Sequence, residues 1–233
     1  MKSFARVALL SAVVAPFLPL PLCADPTPEE RKWLEQVLFG AGPQRDERVC
    51  RRWTRTPKVA LVRASAEQKK ASEEAVKHLN EALAGTPIFK LDLPGKEPRP
   101  GAEAEADIRI HFAPEKELAD VAQKYEFKYV RGNRGFYWAW WNDRHEMTKV
   151  VVLIADELKG AELRSMVLKE LVQALGLPFE SPAFSDSIFY RDGPRETRAT
   201  QLSPRDRKLI VLFYNRIKPG ATLAEARGEF RNW

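Results

Sequence analysis

The hydrophobic positions of the chain follow two different spacings, and each spacing predicts a type of element. In four segments the apolar residues recur every three to four positions, as on one face of an α-helix. Three of these segments begin at a residue typical of N-caps, namely Thr27, Ser65 and Ser203, and three end at or just before a glycine, so their ends are well marked. We predict helices over residues 27–40, 65–85 and 162–175, and from Ser203 onward.

Apolar residues that alternate with polar ones, or that form short continuous runs, predict the strands. Five segments fit this description, namely residues 57–64, 88–93, 107–112, 135–141 and 149–156. The stretch 94–106 is rich in proline, glycine and charge, which is typical of a surface loop. The fold class is therefore α+β, a twisted mixed sheet of about five strands with three main helices.

The segment "GFYWAWW" over residues 135–141 places aromatic side chains on both faces of its strand. Because side chains alternate across a strand, one face carries Phe136, Trp138 and Trp140 and the other carries Tyr137, Ala139 and Trp141. One face is expected to lie in the core. The face with Tyr137 and Trp141 is either covered by a loop or forms a binding surface.

The helix near residue 170 presents one acid on its apolar side. At about 100° per residue, Glu170 lies within the apolar arc, so its carboxylate points to the interior or to the floor of a cleft. One interpretation is structural, with hydrogen bonds from the backbone after Gly176 or from the "SIFY" turn at 187–190 holding the acid. Lys169 and Gln173 lie together at one margin of the arc, either as a solvated flank or as part of a site.

The length and composition limit the number of domains. A chain of 233 residues with 44% hydrophobic residues can bury one sizeable core. We divide it into an N-terminal preamble over 1–24, an N-terminal helix and linker over 25–56, the main domain over 57–218 and a C-terminal tail over 219–233.

The first 24 residues have the order of charge and hydrophobicity typical of a secretory signal peptide. A basic start precedes an apolar run that is too short and too rich in proline to span a membrane. Cleavage after Ala24 would start the mature chain at Asp25, without a transmembrane segment, in the periplasm or outside the cell. In the alternative, Cys23 carries a lipid.

The charge distribution limits the kinds of partner that the chain can bind, and the cysteine content limits its disulfides. The preamble carries two basic residues and no acid, so its removal lowers the net charge from +6 to +4, and the remaining basic residues are interspersed with acids. This distribution argues against a nucleic-acid partner. Cys50 would then be the single cysteine, which leaves no intrachain disulfide. The sequence does not determine the oligomeric state.

One stretch resembles a known protease family. The residues "KELVQALGLPF" are similar to the H-E-x-x-H-x-x-G-x-x-H helix of the metzincins, in particular the matrixin group, with Lys169, Gln173 and Phe179 in place of the three histidines. Downstream "SIFY" resembles the Met-turn and "LSPRDRKLIVLFY" the closing helix, and upstream "ADIRIHF" is similar to the third strand. The chain also resembles bacterial secreted proteins with E-x-x-Q-x-L-G-L followed by S-I-F.

The resemblance implies a zincin-like fold without the zinc. A catalytic zinc needs about three nitrogen or oxygen ligands from the protein, and a protonated lysine and a glutamine amide are poor substitutes. The three histidines of the chain lie on separate predicted elements, so we expect no metal site and no cofactor.

The function implied is non-catalytic binding in the former active-site cleft. In metzincins the fourth strand borders that cleft, and its counterpart here is "GFYWAWW". A peptide or envelope protein would bind there, and the candidate binding residues are Tyr137, Trp141, Lys169, Gln173 and Tyr190. The alternative is an active hydrolase that uses Glu170 as general base with an unlocated metal or water site. A third possibility is an envelope adaptor that acts through the N-terminal helix.

Overall fold

The computed structural model describes residues 25–86, 90–93, 105–231 and 233, so the predicted signal peptide and most of the predicted loop at 94–106 lie outside the described residues. Within these ranges the main sheet has four strands: β1 (Val59–Val62), β2 (Ile108–Ala113), β3 (Gly135–Trp141) and β4 (Met147–Ala155). Their spatial order is β1-β2-β4-β3. β1, β2 and β4 are parallel and β3 is antiparallel to β4, which makes the sheet mixed.

Six helices complete the α+β fold in the described residues: α1 (Pro28–Phe39), α2 (Ala66–Leu83), α3 (Leu118–Lys124), α4 (Gly160–Ala174), α5 (Pro204–Arg216) and α6 (Leu223–Glu229). The predicted caps at Thr27, Ser65 and Ser203 are confirmed, each as part of a capping box. None of these helices is both long and apolar enough to cross a bilayer.

Several elements differ from the sequence-based expectations. In the predicted strand 88–93, residues 88 and 89 lie outside the described residues, and the rest forms a single bridge between Asp92 and Lys58. Helix α3 was not predicted. Two short strands, β5 (Arg191–Asp192) and β6 (Arg195–Glu196), form a hairpin in the stretch that we expected to be irregular.

The N-terminal helix and the last residues belong to the main core. In α1, Trp33 and Leu34 are fully buried, and the ring of Trp33 contacts those of Phe189 and Trp233 at centroid distances of 6.0 and 6.1 Å. The expected tail includes α6 and the buried Phe230. Both ends of the described chain therefore pack on the same body as the sheet.

Helices cover the two faces of the sheet unequally near β3. Helices α2 and α4 pack together, and α4 contacts β3 and β4. Phe127, which follows α3, stacks on Phe136 and Trp138 on the opposite face of β3. Trp138 nevertheless remains 41% exposed, so neither aromatic face of β3 is fully in the core.

Candidate functional site

A cavity of about 390 Å³ lies between β3 and α4. One wall is the loop and strand over residues 132–137, and the other is the side of α4 that carries Lys169, Glu170 and Gln173. The remaining wall comes from the segment after α4, through Glu180, Arg191 and Glu196. The predicted cleft residues Tyr137, Lys169, Glu170 and Gln173 therefore share one cavity.

The last turn of α4 is held in place from several sides. Trp53 Nε1 donates to the carbonyl of Ala174 at 2.9 Å, and Tyr214 Oη donates to that of Leu175 at 2.6 Å. Gly176 has a φ of +101°, and an added Cβ there would overlap the carbonyl oxygen of Arg51. These contacts fix the helix end that presents the cavity floor.

Gly135 allows β3 to approach α4 closely. A Cβ at this position would overlap the sulfur of Met166 and lie 2.7 Å from Glu170 Oε1. The absence of a side chain at Gly135 therefore lets the carboxylate lie next to the strand backbone, and a larger residue would displace the side chains of Met166 and Glu170.

Glu170 is buried, and one of its oxygens has no partner. The side chain is 2% exposed, and Oε2 has no hydrogen-bond partner among the described residues. Within the described residues neither the backbone after Gly176 nor the 187–190 turn donates to Glu170, so the predicted hydrogen bonds were wrong. Its ion pair there is with Lys169, whose Nζ lies 3.9 Å from Oε1. Burial raises the pKa of Glu170 to about 7, although Lys169 opposes the shift.

Lys169 lies at the centre of three acids, which we call the carboxylate cluster: Glu170, Glu180 and Glu196. Its Nζ lies 3.9, 3.5 and 3.2 Å from their nearest oxygens. Burial disfavours the ammonium, but the three carboxylates outweigh it and raise the pKa of Lys169 above its usual value. Lys169 and Gln173 are buried, so the interpretation as a solvated flank was wrong.

Arg191 joins the cluster from β5. Its Nη1 lies 3.0 Å from Glu180 Oε2 and 3.6 Å from Glu196 Oε1. Two cations thus face three carboxylates at one end of the cavity. At the other end Arg134 pairs with Glu162 at 2.5 Å, which balances those two charges.

Tyr137 and Gln173 complete the polar lining. Burial raises the pKa of Tyr137, and the neighbouring Glu170 and Glu180 raise it further, so the phenol stays neutral. Gln173 Nε2 donates to the carbonyl of Pro178 at 3.4 Å, which ties α4 to the segment that follows it.

Trp141, Tyr190 and Phe179 do not line the cavity. Trp141 is 47% exposed, and the guanidinium of Arg51 stacks on its ring at 3.9 Å from the centroid. Tyr190 takes part in a backbone bridge with Ser181. Phe179, at the third histidine position of the resemblance, packs under Arg48.

The structural acid of this region is Asp206, which the sequence did not single out. Ser187 Oγ donates to Asp206 Oδ1 at 2.6 Å, and the amides of Ile188 and Ser203 donate to Oδ2 at 3.0 and 2.9 Å. Burial raises the pKa of Asp206, while these hydrogen bonds lower it. Asp206 therefore holds the 187–190 turn on the N-terminus of α5, the role that we had considered for Glu170.

β3 is an edge strand, and half of its backbone groups point away from the sheet. The amide of Ala155 donates to the carbonyl of Arg134 at 2.9 Å. Because bonded and non-bonded pairs alternate in an antiparallel ladder, the amides and carbonyls of Gly135, Tyr137 and Ala139 face outward. The outward edge borders the cavity at Gly135 and Tyr137.

The donor set of the cavity does not fit zinc. A charged ammonium and an amide stand at two of the positions that the sequence resemblance aligns with histidines, and Lys169 Nζ is already engaged by carboxylates. In the described ranges, no three His, Cys, Asp or Glu side chains are grouped so that they could hold a metal ion.

The two acids that the segment after α4 contributes to the cavity were not predicted from the sequence. Glu180 and Glu196 reach the cavity through a loop and a two-residue strand, where no periodicity relates them to α4. The signal in the sequence that could have pointed to these two acids is their position in the stretch around the "SIFY" turn, which the resemblance places beneath the site.

The structural comparisons find weak likenesses. The structure entitled "Crystal structure of myroilysin" is 12% identical to this chain with a TM-score of 0.42, and the match covers 71% of this chain and 86% of that one. A second, "Structure of myroilysin", is 12% identical with a TM-score of 0.41, covering 72% and 98%. No curated protein sequence matches this chain.

One family model spans nearly all of the described residues. It matches residues 31–232, which include most of α1, the sheet, the cavity and α6. The chain therefore belongs to the family described as "Protein of unknown function (DUF2927)".

Proposed function

We propose that this protein binds an extended segment of a peptide or another protein along the outer edge of β3, with one side chain in the cavity, and does not cleave it. The observation that carries the proposal is the outward backbone of Gly135, Tyr137 and Ala139 beside that cavity. An incoming strand would satisfy these groups, as in other cases of strand addition.

The two parts of the site supply different terms of the binding energy. Backbone hydrogen bonds along β3 favour any extended segment, irrespective of its sequence. The cavity admits one side chain and adds specificity, since its polar groups are buried and prefer a complementary partner. Trp141 lies on the face of Tyr137 outside the cavity, where its exposed ring offers contact area to a neighbouring side chain of the ligand.

A proline on the edge tests strand addition. Ala139→Pro removes an outward amide and leaves the ladder to β4 intact, because edge strands tolerate proline where the N–H faces away from the sheet. Ala139→Thr is the matched control. We expect peptides from an envelope extract to protect residues 135–141 and 177–190 together from hydrogen exchange in the control but not in the proline variant. Equal protection of both variants would contradict the proposal.

We also propose that the protein acts outside the cytoplasm, as the first 24 residues indicate. Mass spectrometry of material expressed in a bacterial host should find a chain that begins at Asp25 and carries no lipid. A diacylglyceryl group on Cys23 would support the lipoprotein alternative.

A hydrolase is the second candidate, favoured by Glu170. A buried carboxylate with a pKa of about 7 beside a cavity has the proton affinity of a general base. If the protein is a hydrolase, a panel of casein and blocked peptides should be cleaved by the wild type and not by Glu170→Gln. Binding without cleavage supports the non-catalytic function.

A further inference from the structure

We propose that the cavity selects a basic side chain, a lysine, whose ammonium donates to the carboxylate of Glu170 and completes the charge balance of the carboxylate cluster. This inference rests on the proposed binding of an extended segment at β3, because that segment delivers the side chain. It adds the chemical class of the residue that enters the cavity.

The carboxylate cluster and its two cations, Lys169 and Arg191, contain one more negative than positive side chain. Lys169 and Arg191 both form their shortest contacts with Glu180 and Glu196, at 3.0 to 3.6 Å. Glu170 has only the longer contact of 3.9 Å to Lys169. A third cation would bring the cluster to three positive and three negative charges, so that no carboxylate of the cluster would lack a counter-ion.

The incompletely paired carboxylate of Glu170, which lines the cavity, marks where that cation would bind. Oε2 of Glu170 is buried and accepts no hydrogen bond within the described parts of the chain. A buried carboxylate oxygen without a donor is costly, and a ligand N–H would remove that cost. An aliphatic side chain in the cavity would leave it in place.

The geometry of strand addition directs a side chain towards this carboxylate. Side chains of a strand that pairs with β3 alternate between the two faces of the sheet, and every second one lies on the face of Tyr137, where the cavity opens. Gly132 and Gly135 contribute no side chain to its wall. The aliphatic stem of a lysine would pack against Met166 while its ammonium reaches the acid.

The pH dependence of binding distinguishes an ionised Glu170 that accepts a hydrogen bond from a protonated Glu170 that donates one. If Glu170 binds a cation it must be ionised, so binding strengthens as the pH rises through its pKa of about 7. If it instead donates from its protonated form to a ligand carbonyl, binding weakens over the same range. The groups that act on Glu170 are Lys169 on α4, Tyr137 on β3, Glu180 in the following loop and Glu196 on the hairpin. The other charged groups that line the cavity are Arg191 on the hairpin and the pair of Arg134 and Glu162.

The probes are terminally blocked heptapeptides that alternate threonine and valine and differ only in the central residue, which is lysine, norleucine or glutamine. Their affinities are measured by fluorescence anisotropy at pH 6 and pH 8. Three proteins are compared: the wild type, Glu170→Gln, and Glu73→Gln, which removes an exposed acid of α2 outside the cavity.

For the wild type and Glu73→Gln we expect the lysine peptide to bind about tenfold tighter than the norleucine peptide at pH 8, the effect of one hydrogen bond to a charged group. Binding of the lysine peptide should weaken about tenfold at pH 6, because a lysine stays charged while Glu170 is protonated. Glu170→Gln should lose both differences. The wild-type ratios stand as a test even if that variant does not fold.

The outcomes separate the two proposals. Equal affinities for lysine and norleucine, or tighter binding at pH 6, would overturn the selection of a cation while strand addition stands. Failure of all three peptides to bind, with Ala139→Pro and Ala139→Thr indistinguishable, would contradict strand addition and this inference with it.

Discussion

At the scale of single residues, the protonation of Glu170 decides what the cavity can bind. Its environment combines almost complete burial with a lysine that is shared among three acids. The burial of Glu170 and its place beside Lys169 and Gln173 follow from helical periodicity, so the sequence predicted them. The sequence could not show that Lys169 is shared with Glu180 and Glu196, because those contacts depend on how a loop returns to α4.

Glu170→Gln should change the pH dependence of stability. Because the folded protein holds the proton more tightly than the unfolded chain, Glu170 contributes stability that is present below pH 4.5 and is lost as the pH rises to about 7. Above pH 7 the variant should therefore be more stable than the wild type, by up to about 3 kcal/mol. Urea unfolding from pH 4 to pH 8 measures this, and parallel curves for both proteins would contradict it.

Asp206→Ala should destabilise the protein at neutral pH. The substitution leaves the hydroxyl of Ser187 and the amides of Ile188 and Ser203 without their acceptor, at a cost of about 2 to 4 kcal/mol. Asp143→Ala, which removes an exposed acid in the turn before β4, is the control and should have little effect. Equal unfolding midpoints for the two variants would refute this role of Asp206.

At the scale of elements, β3 and α4 together form the site. Both were located correctly from sequence, since the bounds of β3 coincide with the aromatic run and α4 ends before Gly176 as its glycine stop predicts. The position of β3 at the edge of the sheet was not derivable from its residues, because strand order depends on long-range pairing. The same limit explains why the hairpin of β5 and β6 was missed, as its strands are only two residues long.

Hydrogen exchange of the free protein should reveal which way the backbone of β3 faces. Phe136 and Trp138 belong to pairs that are bonded to β4, whereas Tyr137 and Ala139 face outward. We expect the amides of the first two to exchange more slowly than those of the last two, by NMR-detected exchange in D2O. Uniform protection across the strand would mean that the outer edge is covered.

At the scale of the whole molecule, the ends of the chain stabilise the body that carries the site. Trp33 of α1 contacts Phe184 and Phe189 of the loop that follows α4, and it also contacts Trp233. Short amphipathic segments such as α1 could be recognised from sequence, but their packing partners could not. An N-terminal helix with this much buried surface leaves little of its apolar face for an adaptor role.

Phe230→Ala should therefore weaken the entire fold. The ring is fully buried at the end of α6, and its loss should cost about 3 to 5 kcal/mol. Glu229→Ala changes the neighbouring exposed position and serves as the control. Thermal unfolding should show one cooperative transition at a lower temperature for Phe230→Ala, and an unchanged midpoint would show that the C-terminal residues do not stabilise the domain.

The central claim is that a bound segment pairs with the outer edge of β3. The most direct measurement is a set of intermolecular NOEs between isotope-labelled protein and an unlabelled heptapeptide with a central lysine. We predict backbone contacts from the peptide to Tyr137 and Ala139, with the lysine side chain near Met166 and Glu170. Contacts restricted to the opposite face, at Phe136, Trp138 and Trp140, would contradict strand addition at this edge.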